Sequence, residues 1–352
     1  MSVDAQGREI VLSHFGMNER PFSSQPDPEY LYWSDAHRQA YTMLDYGLMS
    51  GAPITVITGE VGTGKTSLLR HLLRNIGPDV SAGLVSTAGG GRAELLHWVL
   101  LALGQESNPE IGYVRLHAQF QSFLISEFQA GRRTLLIFDE AQNLSIETLE
   151  ELRLFTNINA DSDSLLQLVL FGQPGLRETL SRPELLPFAQ RVSADYHIPA
   201  MDLEAVEGMI AHRLEAAGAN PAIFTPGAMA GIFRATGGLP RRVSQICDYA
   251  LVYAYGAGQD EVNSEIVDLV VRDRMAEGHF LSLAPKSKRD KSVPAPRLGG
   301  VPDLKAPPRD EDDTEPPPPT VQTTVEQPKA PRLGPAPDPL FMRHPRNRSN
   351  KR

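Results

Sequence analysis

The sequence predicts an α/β fold in which helices cover both faces of a parallel five-stranded sheet, with a smaller helical part after it. An apolar run at 54–57 leads into a glycine-rich loop, which a helical pattern follows. A second apolar run, 134–138, ends in two carboxylates. Strand and helix patterns alternate as far as about residue 200, and such alternation is typical of parallel sheets.

The glycine-rich loop is the most informative motif of the chain. It reads GEVGTGKTS over 59–67 and fits the pattern G-x-x-x-x-G-K-[ST]. Glycines let the backbone curl so that several N–H groups point at a polyphosphate, and the following helix adds its positive end. Lys65 supplies a mobile charge for the outer phosphates, and Thr66 supplies a hydroxyl for Mg²⁺. The predicted nucleotide-binding residues are Gly59, Glu60, Val61, Gly62, Thr63, Gly64, Lys65, Thr66 and Ser67.

Two carboxylates, Asp139 and Glu140, end the second apolar run. A continuous apolar run suits a parallel strand that is buried on both faces. Ligands of open α/β sheets bind at the carboxyl ends of the strands, so both acids are expected beside the glycine-rich loop. We assign Asp139 to the Mg²⁺ shell and Glu140 to polarising the attacking water.

Caps and periodicity predict the elements that precede the two acids. Residues 1–33 are rich in aromatics and prolines and are interpreted as an extended segment packed over a core surface. Ser34 is a candidate N-cap for a helix that runs to about Met49. Between the loop and the acids, the patterns predict a strand at 82–87 and helices near 92–103 and 113–129.

The sheet is completed after the two acids, and a purely helical part follows. Ser145 is a candidate N-cap, a fourth strand is predicted at 165–171, and a fifth is predicted near 196–198. Four helices are then predicted, with starts after Asp202, at Pro226, at Pro240 and at Asn263 or Ser264. We therefore expect an α/β domain over 34–200 and a helical domain over 201–278.

The last part of the chain, 279–352, has no periodicity and holds 16 of the 29 prolines. Such a composition buries too little apolar area to offset chain entropy, so a disordered, Pro-rich tail is expected. Cys247 is the single cysteine, which excludes an intrachain disulfide and fits a cytoplasmic protein. The sequence has no N-terminal signal pattern and no apolar run of about 18 residues, so no integral membrane segment is expected.

Charge is unevenly distributed along the chain, whose formal net charge is −9. Residues 1–280 hold 20 Lys and Arg against 34 Asp and Glu, whereas residues 281–352 hold 14 against 9. An acidic folded part argues against nucleic-acid wrapping as the main role. The basic end at 343–352 leaves DNA binding open as a less favoured alternative.

A set of further segments carries a family resemblance that covers about 15–278. The segments are NERPF at 18–22, PDPEYLY at 26–32, His37, GEVGTGKTS at 59–67, DEAQNL at 139–144, ELRLFTN at 151–157, LLQLVLFGQPGL at 165–176 and GLPRRVSQICDYAL at 238–251. Together they resemble the AAA+ ATPases, a class of P-loop NTPases. More narrowly, they resemble the ATPases related to general secretion pathway protein A, which include those of exosortase and exopolysaccharide systems. The Mu-type and Tn7-like transposition ATPases are more distant relatives.

The resemblance implies additional site residues. It identifies the glycine-rich loop as Walker A and the two acids as Walker B, and it places Gln173 at the first sensor position, where it would orient the attacking water. Arg191 falls in the region that supplies an arginine finger to a neighbouring subunit, and Arg182 is a competing candidate. Arg241 matches the second sensor, which reaches the γ-phosphate from the helical domain, and Arg242 is the adjacent alternative.

The resemblance also implies a function. We expect an Mg²⁺-dependent ATPase (a hydrolase) that forms a homo-oligomer in the cytoplasm, with a protein partner recruiting it to the inner membrane. Hydrolysis would power or regulate a secretion or exopolysaccharide-export assembly. An ATP-dependent DNA-targeting regulator of the transposition type, and a nucleotide-gated scaffold with little turnover, are the alternatives. General secretion pathway protein A itself carries a membrane span and a periplasmic part, and this chain shows neither, so direct work on peptidoglycan is not expected.

Overall fold

The structure, a computed structural model, describes residues 10–23, 30–86, 91–108, 110–160 and 163–276. The Pro-rich tail lies outside the described residues, as do the first nine residues of the N-terminal segment.

A parallel five-stranded sheet forms the centre of the α/β part, as the sequence predicts. Its strands are β1 (Ile54–Gly59), β2 (Val80–Val85), β3 (Arg133–Phe138), β6 (Leu166–Gly172) and β7 (Val192–Ile198). The strand order is β2-β3-β6-β1-β7, and every neighbouring pair is parallel. Two short strands, β4 (Asn159–Ala160) and β5 (Asp163–Ser164), form a separate antiparallel pair. The central β1 and β6 are buried at every position, which explains their unbroken apolar runs.

The predicted helices are present in the predicted order. Helix α1 is described over 10–14. The others are α2 (Asp35–Met49), α3 (Lys65–Asn75), α4 (Arg92–Ala102), α5 (Tyr113–Gln129), α6 (Ile146–Phe155), α7 (Pro174–Leu180), α8 (Leu186–Ala189), α9 (Leu203–Ala216), α10 (Pro226–Thr236), α11 (Pro240–Gly256) and α12 (Ser264–Ala276). Helices α1, α7 and α8 are additional to the predicted ones. Within the described ranges, no helix is both long enough and apolar enough to cross a bilayer.

Helices pack on both faces of the sheet. On one face, α2 and α3 place buried side chains such as Leu44 and Leu68 against Ile57 and Ile137 of the central strands. On the other face, α4, α5 and α6 build a larger core against Leu136 and its neighbours. The sheet is therefore held rigidly between two apolar layers, and only its strand ends are free to present polar groups.

Three helix starts coincide with the predicted Ser34, Ser145 and Asp202, and Thr225 caps the helix predicted to start at Pro226. Each of these four side chains accepts a hydrogen bond from the backbone N–H three residues later. Pro226 and Pro240 occupy the first helical position, where a missing N–H costs nothing. These helix boundaries could be predicted from the sequence because a capping bond joins residues only three positions apart.

Two local predictions differ from the structure. Strand β2 begins two residues earlier than the predicted 82–87, because it is an edge strand whose partly exposed positions give a weak apolar pattern. Residues 10–14 are helical, although the N-terminal segment is interpreted as extended. Val11 and Leu12 turn toward the helical part, and Phe15, Met17 and Phe22 are buried in its core. The packing of the segment over a core surface agrees with the prediction.

The helices α9 to α12 enclose a core of their own. Val206, Ile210, Ile246 and Val267 are almost completely buried there. A backbone hydrogen bond also joins this helical group to the glycine-rich loop, because the Arg241 N–H donates to the Gly62 carbonyl oxygen at 3.2 Å.

One ion pair at the edge of the sheet, between the nearly buried Glu127 and the partly exposed Arg132, leads to a stability prediction. Arg132 donates to both carboxylate oxygens of Glu127 at 2.6 Å, and Ser81 donates to one of them. The Arg132 hydrogen bonds are the main reason that the pKa of Glu127 falls to about 2 from an ordinary value of 4.5. The stabilisation is complete above pH 4.5 and is lost as the pH falls through 2.

We expect Glu127→Gln to lower the free energy of unfolding at pH 7 by about 1 kcal/mol, because the nearly buried carboxylate loses its charged hydrogen bonds to a guanidinium that solvent partly screens. Urea titrations of both proteins measure this difference, which should shrink as the pH is lowered from 4.5 toward 2. The exposed Glu178, replaced by Gln, is the matched control. An equal loss at pH 7 and pH 3 would contradict the assignment.

Candidate functional site

The loop between β1 and α3 has the backbone conformation that the glycine pattern predicts. Gly62 and Gly64 have φ values of +85° and +94°, in the left-handed region that glycine tolerates best. A Cβ at Gly62 would lie 2.8 Å from Arg241 Cβ, and a Cβ at Gly64 would lie 2.7 Å from His37 Nε2. Both glycines are therefore required by conformation and by close packing.

Lys65 lies at the start of α3 with its ammonium group folded back over the loop. Its Nζ donates to the carbonyl oxygens of Gly59 at 2.7 Å and Glu60 at 2.9 Å, and the residue is only 6% exposed. Burial lowers the pKa of Lys65, and the nearby Glu140 and Asp139 carboxylates partly oppose that effect. The loop thus holds a cation that has only neutral acceptors in direct contact.

A buried histidine supports the loop from behind. His37 Nε2 lies 2.8 Å from the Thr63 carbonyl oxygen, and His37 Nδ1 lies 2.7 Å from the Ser34 hydroxyl. Because a carbonyl can only accept, Nε2 carries the proton and Nδ1 accepts from Ser34. Burial lowers the pKa of His37, which favours this neutral form. The N-cap residue of α2 therefore helps to hold the backbone conformation of the glycine-rich loop.

The two acids after β3 lie beside Lys65. Asp139 is half-buried, and its Oδ1 accepts from the Glu140 N–H at 2.9 Å. Burial raises the pKa of Asp139, while that bond and the Lys65 charge oppose the rise. Glu140 has a φ of +52°, and it is the one non-glycine residue with positive φ in the described ranges. Such a backbone conformation is costly and is often found at functional positions.

Two glutamines hold the Glu140 carboxylate. Gln142 Nε2 and Gln173 Nε2 both donate to Glu140 Oε2, at 2.5 Å and 3.1 Å. The Gln142 amide also accepts from the Gln173 backbone N–H at 2.9 Å, so it bridges the end of β3 and the end of β6. The Gln142 bond is the main reason that the pKa of Glu140 is lowered. Glu140 Oε2 thus accepts both hydrogen bonds, whereas Oε1 accepts from neither amide.

A cavity of about 350 Å³ opens between the loop and the helical group. Its loop side presents Val61, Gly62, Gly64, Lys65, Thr66 and Ser67, together with Glu140 and Gln173. Its other side presents Ser23, Arg213, Pro240, Arg241 and Ser244. The structure therefore brings together the predicted Lys65, Thr66, Glu140, Gln173 and Arg241, whereas Asp139 does not line the cavity and accepts from the Glu140 N–H.

Arg191 lies elsewhere in the fold. Its guanidinium donates to Thr156 at 2.7 Å and to Asn157, both just after α6, and the residue does not line the cavity. The competing Arg182 is exposed near the end of α7. Arg242, beside Arg241, does not line the cavity either. A role in a neighbouring subunit stays a prediction for Arg191 and Arg182.

The residues near Lys65 suit a hard divalent cation. Mg²⁺ prefers oxygen ligands and is commonly held by one or two protein groups together with substrate phosphates. Thr66 is exposed at the cavity, and the Asp139 carboxylate has one oxygen that does not receive the Glu140 N–H. In the described part of the chain, no three His, Cys, Asp or Glu side chains form a metal cluster of their own. The site thus fits a cation that arrives with a phosphate ligand.

Three residues of the site were not assigned from the sequence. Gln142 was visible as part of DEAQNL, two positions after Glu140, but its bridge to β6 is a tertiary contact. Ser244 lies one turn after Arg241 on a helix that is otherwise apolar on that face. Arg213 had a readable signal, because it occupies a position of the buried stripe of α9 that includes Val206 and Ile210.

Comparisons with known proteins agree with this geometry. A family model described as an AAA domain matches residues 48–180, from the end of α2 through α7. The glycine-rich loop, the acid pair and the strand order therefore define a P-loop protein of the AAA+ ATPase class.

A more specific relative is general secretion pathway protein A of Aeromonas hydrophila. It is 37% identical to this chain over 253 residues, which are 72% of this chain and 46% of that relative. The chain belongs to the AAA+ ATPases related to that protein, as the resemblance predicts. It spans about half of the relative's length.

Solved structures with a similar fold include two archaeal proteins. The ORC2 protein of Aeropyrum pernix, solved as ADPNP–ADP complexes, has a TM-score of 0.55 at 18% identity, with 75% of each chain covered. Cdc6p of Pyrobaculum aerophilum has a TM-score of 0.56 at 17% identity, with 72% of this chain and 70% of that one covered. At such identities the likeness concerns the fold alone.

Proposed function

We propose that this protein is an Mg²⁺-dependent ATPase whose hydrolysis drives the rearrangement of a partner in secretion or polysaccharide export. The convergence of Lys65, Asp139 and Glu140 at the carboxyl ends of β1 and β3 carries the proposal. The loop around Lys65 offers backbone N–H groups and a buried cation to the phosphates. The two acids provide the groups that a metal and a water molecule need.

Glu140 is the proposed general base. Its Oε2 is held by Gln142 and Gln173, so Oε1 is the atom that accepts a proton from the attacking water. Gln173 also orients that water from the tip of β6. Because the carboxylate is fixed before substrate binds, little reorganisation is needed at the moment of reaction.

Thr66 and Asp139 would hold Mg²⁺. When bound, the cation neutralises charge on the β- and γ-phosphates. The raised pKa of Asp139 indicates a carboxylate that burial disfavours and that a cation would keep ionised.

Arg241 is proposed to sense the γ-phosphate. Its backbone N–H is bonded to Gly62, and its exposed side chain lines the cavity opposite Lys65. A guanidinium that reaches the phosphates from α11 would change the angle of the helical group when the γ-phosphate is lost. In this way the chain would convert hydrolysis into movement of the proposed helical domain, 201–278.

Arg191 is proposed to act in trans, which makes a homo-oligomer part of the hypothesis. The guanidinium lies outside its own cavity, and its partners Thr156 and Asn157 are neutral, so its charge is not neutralised by an ion pair within the described residues. A finger of this kind contributes about 10³–10⁵ in rate. Arg182 stays the competing candidate.

The partner is proposed from the relative's name. General secretion pathway protein A is 37% identical to this chain over 253 residues, which supports a protein partner in secretion or in a related export system. We propose a cytoplasmic location, with recruitment to the inner membrane by that partner. Identifying what co-purifies with the Glu140→Gln form in the presence of ATP tests the partner.

The experiment that tests the ATPase is a measurement of phosphate release by the full-length chain. We expect Mg-ATP turnover that stops in EDTA and that rises more steeply than the protein concentration, because assembly completes the site. The absence of hydrolysis at every concentration, with and without co-purified partners, would overturn the proposal.

DNA targeting is less favoured. Residues 1–280 hold 14 more acidic than basic residues, so the folded part repels a phosphate backbone. A gel shift with ATP at low salt tests this alternative, and the absence of a shift removes it.

Gln142 has a predictable effect on the reaction. We expect Gln142→Ala to lower kcat about tenfold with little change in KM, because it leaves the phosphate contacts intact and releases the base. The pKa of Glu140 should rise when this bond is lost, so the acidic limb of the kcat–pH profile should move to higher pH.

The control is Gln121→Ala, an exposed glutamine of α5. A pH profile of Gln142→Ala that coincides with the wild-type profile would show that this amide does not tune Glu140.

A further inference from the structure

Arg213 of α9 lies at the end of the cavity that the phosphate-binding residues do not occupy. It lines the cavity together with Ser23 and Ser244. Its Nη1 donates to the Pro21 carbonyl oxygen at 3.3 Å, so the segment before residue 24 forms part of this end. None of the functions proposed above uses Arg213.

The Arg213 guanidinium is largely buried but has few hydrogen-bond acceptors and no carboxylate bonded to it among the described residues. Its Nε is shielded from solvent and has no hydrogen-bond partner in the described residues. Burial lowers the pKa of Arg213, and the nearby Cys247 thiol and Tyr30 only partly oppose this effect. Asp248, the carboxylate next along α11, is bonded to Arg20 at 2.5 Å instead. A largely buried guanidinium with so few protein acceptors, on a residue that lines a cavity, lacks the partners that normally accompany burial.

Helix α11 relates this end of the cavity to the glycine-rich loop. Arg241, Ser244 and Cys247 follow one another at intervals of three residues, and therefore lie along one side of the helix. The Arg241 N–H donates to Gly62, whereas Arg213 lies near Cys247. A rise of 1.5 Å per residue separates these two levels by about 9 Å along the helix axis. A ligand whose phosphates lie at the loop would reach the Arg213 level with its opposite end.

We infer that Arg213 binds the nucleoside end of the ligand, donating from its guanidinium to acceptor atoms of the base or the ribose. The inference rests on the proposed nucleotide binding at the same cavity. Purine ring nitrogens and ribose oxygens are acceptors, and an arginine whose single protein acceptor among the described residues is the Pro21 carbonyl gains hydrogen bonds from meeting them. Arg213 is thereby a specificity-determining residue, and the N-terminal segment closes the nucleoside end of the site through Pro21.

The test compares three ligands on full-length protein by isothermal titration calorimetry in Mg²⁺: ATP, ribose 5′-triphosphate and tripolyphosphate. We expect Arg213→Met to weaken ATP binding by about 10–100-fold, which corresponds to one charged hydrogen-bonded contact. Tripolyphosphate affinity should stay within about twofold of the wild-type value, since the loop is untouched. Arg272→Met, an exposed arginine of α12, is the matched control.

Ribose 5′-triphosphate separates the two acceptor sources. A loss for ATP alone supports a base contact, and a loss for ATP and ribose 5′-triphosphate together supports a ribose contact. Equal losses for all three ligands, or no loss for any, would overturn the inference. Thermal melting of the ligand-free protein adds a check, because a purely structural role for the Pro21 bond predicts a lower Tm for Arg213→Met. Wild-type protein that binds none of the three would refute the proposed function instead.

Discussion

Replacing Lys65 with alanine is expected to reduce Mg-ATP hydrolysis by at least about 10³-fold and to weaken nucleotide binding severely. The Lys65 ammonium is the one cation that the loop itself holds, and its partners are the neutral carbonyls of Gly59 and Glu60. These bonds keep the charge in place without neutralising it, so it remains available to phosphates. Removing a fixed donor from a preorganised, partly desolvated site typically costs 10²–10³ in rate, and here the loss of binding adds to it.

Phosphate release and ATP titration calorimetry measure the two parts of this effect. Arg70→Ala is the matched control, because Arg70 is an exposed cation on the same helix. Thermal melting shows whether the variant folds. If Lys65→Ala binds ATP as tightly as the wild-type protein, phosphates are not held by this loop and the proposed function fails.

The fold was predictable because its signals are local. Strands β1 and β6 are buried on both faces, so their sequences are unbroken apolar runs. The loop at 59–67 has left-handed backbone at Gly62 and Gly64, and glycine is the residue type that tolerates this conformation best, so the sequence indicates it directly. Edge strand β2 was predicted less well because its partly exposed positions weaken the apolar pattern, and the 10–14 helix because, among its apolar residues, only Val11 and Leu12 pack against the helical core.

The site was predictable only in part, for a physical reason. Lys65, Asp139 and Glu140 follow strands directly, so the sheet places them without further information. Gln142 and Arg213 depend on contacts between elements that are distant in sequence, namely the Gln173 N–H at the end of β6 and the Pro21 carbonyl. Such contacts leave no pattern in the nearby sequence. A charged residue within the apolar stripe of a helix, such as Arg213, nevertheless indicates a candidate functional residue.

The loop and the helical group are joined in a way that suits energy conversion. Arg241 contributes its backbone N–H to Gly62, and Gly62 has no room for a Cβ against the Arg241 side chain. Movement of α11 therefore acts directly on the loop. His37 holds the other side of the same loop through Thr63, so that α2, fixed on the sheet, is the stationary reference.

Replacement of Glu140 is expected to affect the rate of hydrolysis far more than the binding of ATP. Replacing Glu140 with glutamine should lower kcat by about 10²–10⁴-fold, the usual contribution of a general base, and leave ATP affinity within about threefold of the wild-type value. An amide of the same size keeps the contacts with the Gln142 and Gln173 side chains through its oxygen but cannot accept the proton of the attacking water. Loss of one negative charge near Lys65 removes an interaction that raises the pKa of that lysine, and it does not alter the loop.

Single-turnover hydrolysis and ATP calorimetry on Glu140→Gln distinguish the two effects, with Glu204→Gln, an exposed acid in the first turn of α9, as the matched control. The variant should also accumulate in its ATP-bound form, so that assembly measured by light scattering becomes stable in ATP and reverses when ATP is removed. Turnover within tenfold of the wild-type rate would exclude Glu140 as the base and would direct attention to Asp139, the remaining carboxylate beside Lys65. A severe loss of ATP binding would instead show that Glu140 holds the metal, because a general base does not contribute to ground-state affinity on this scale.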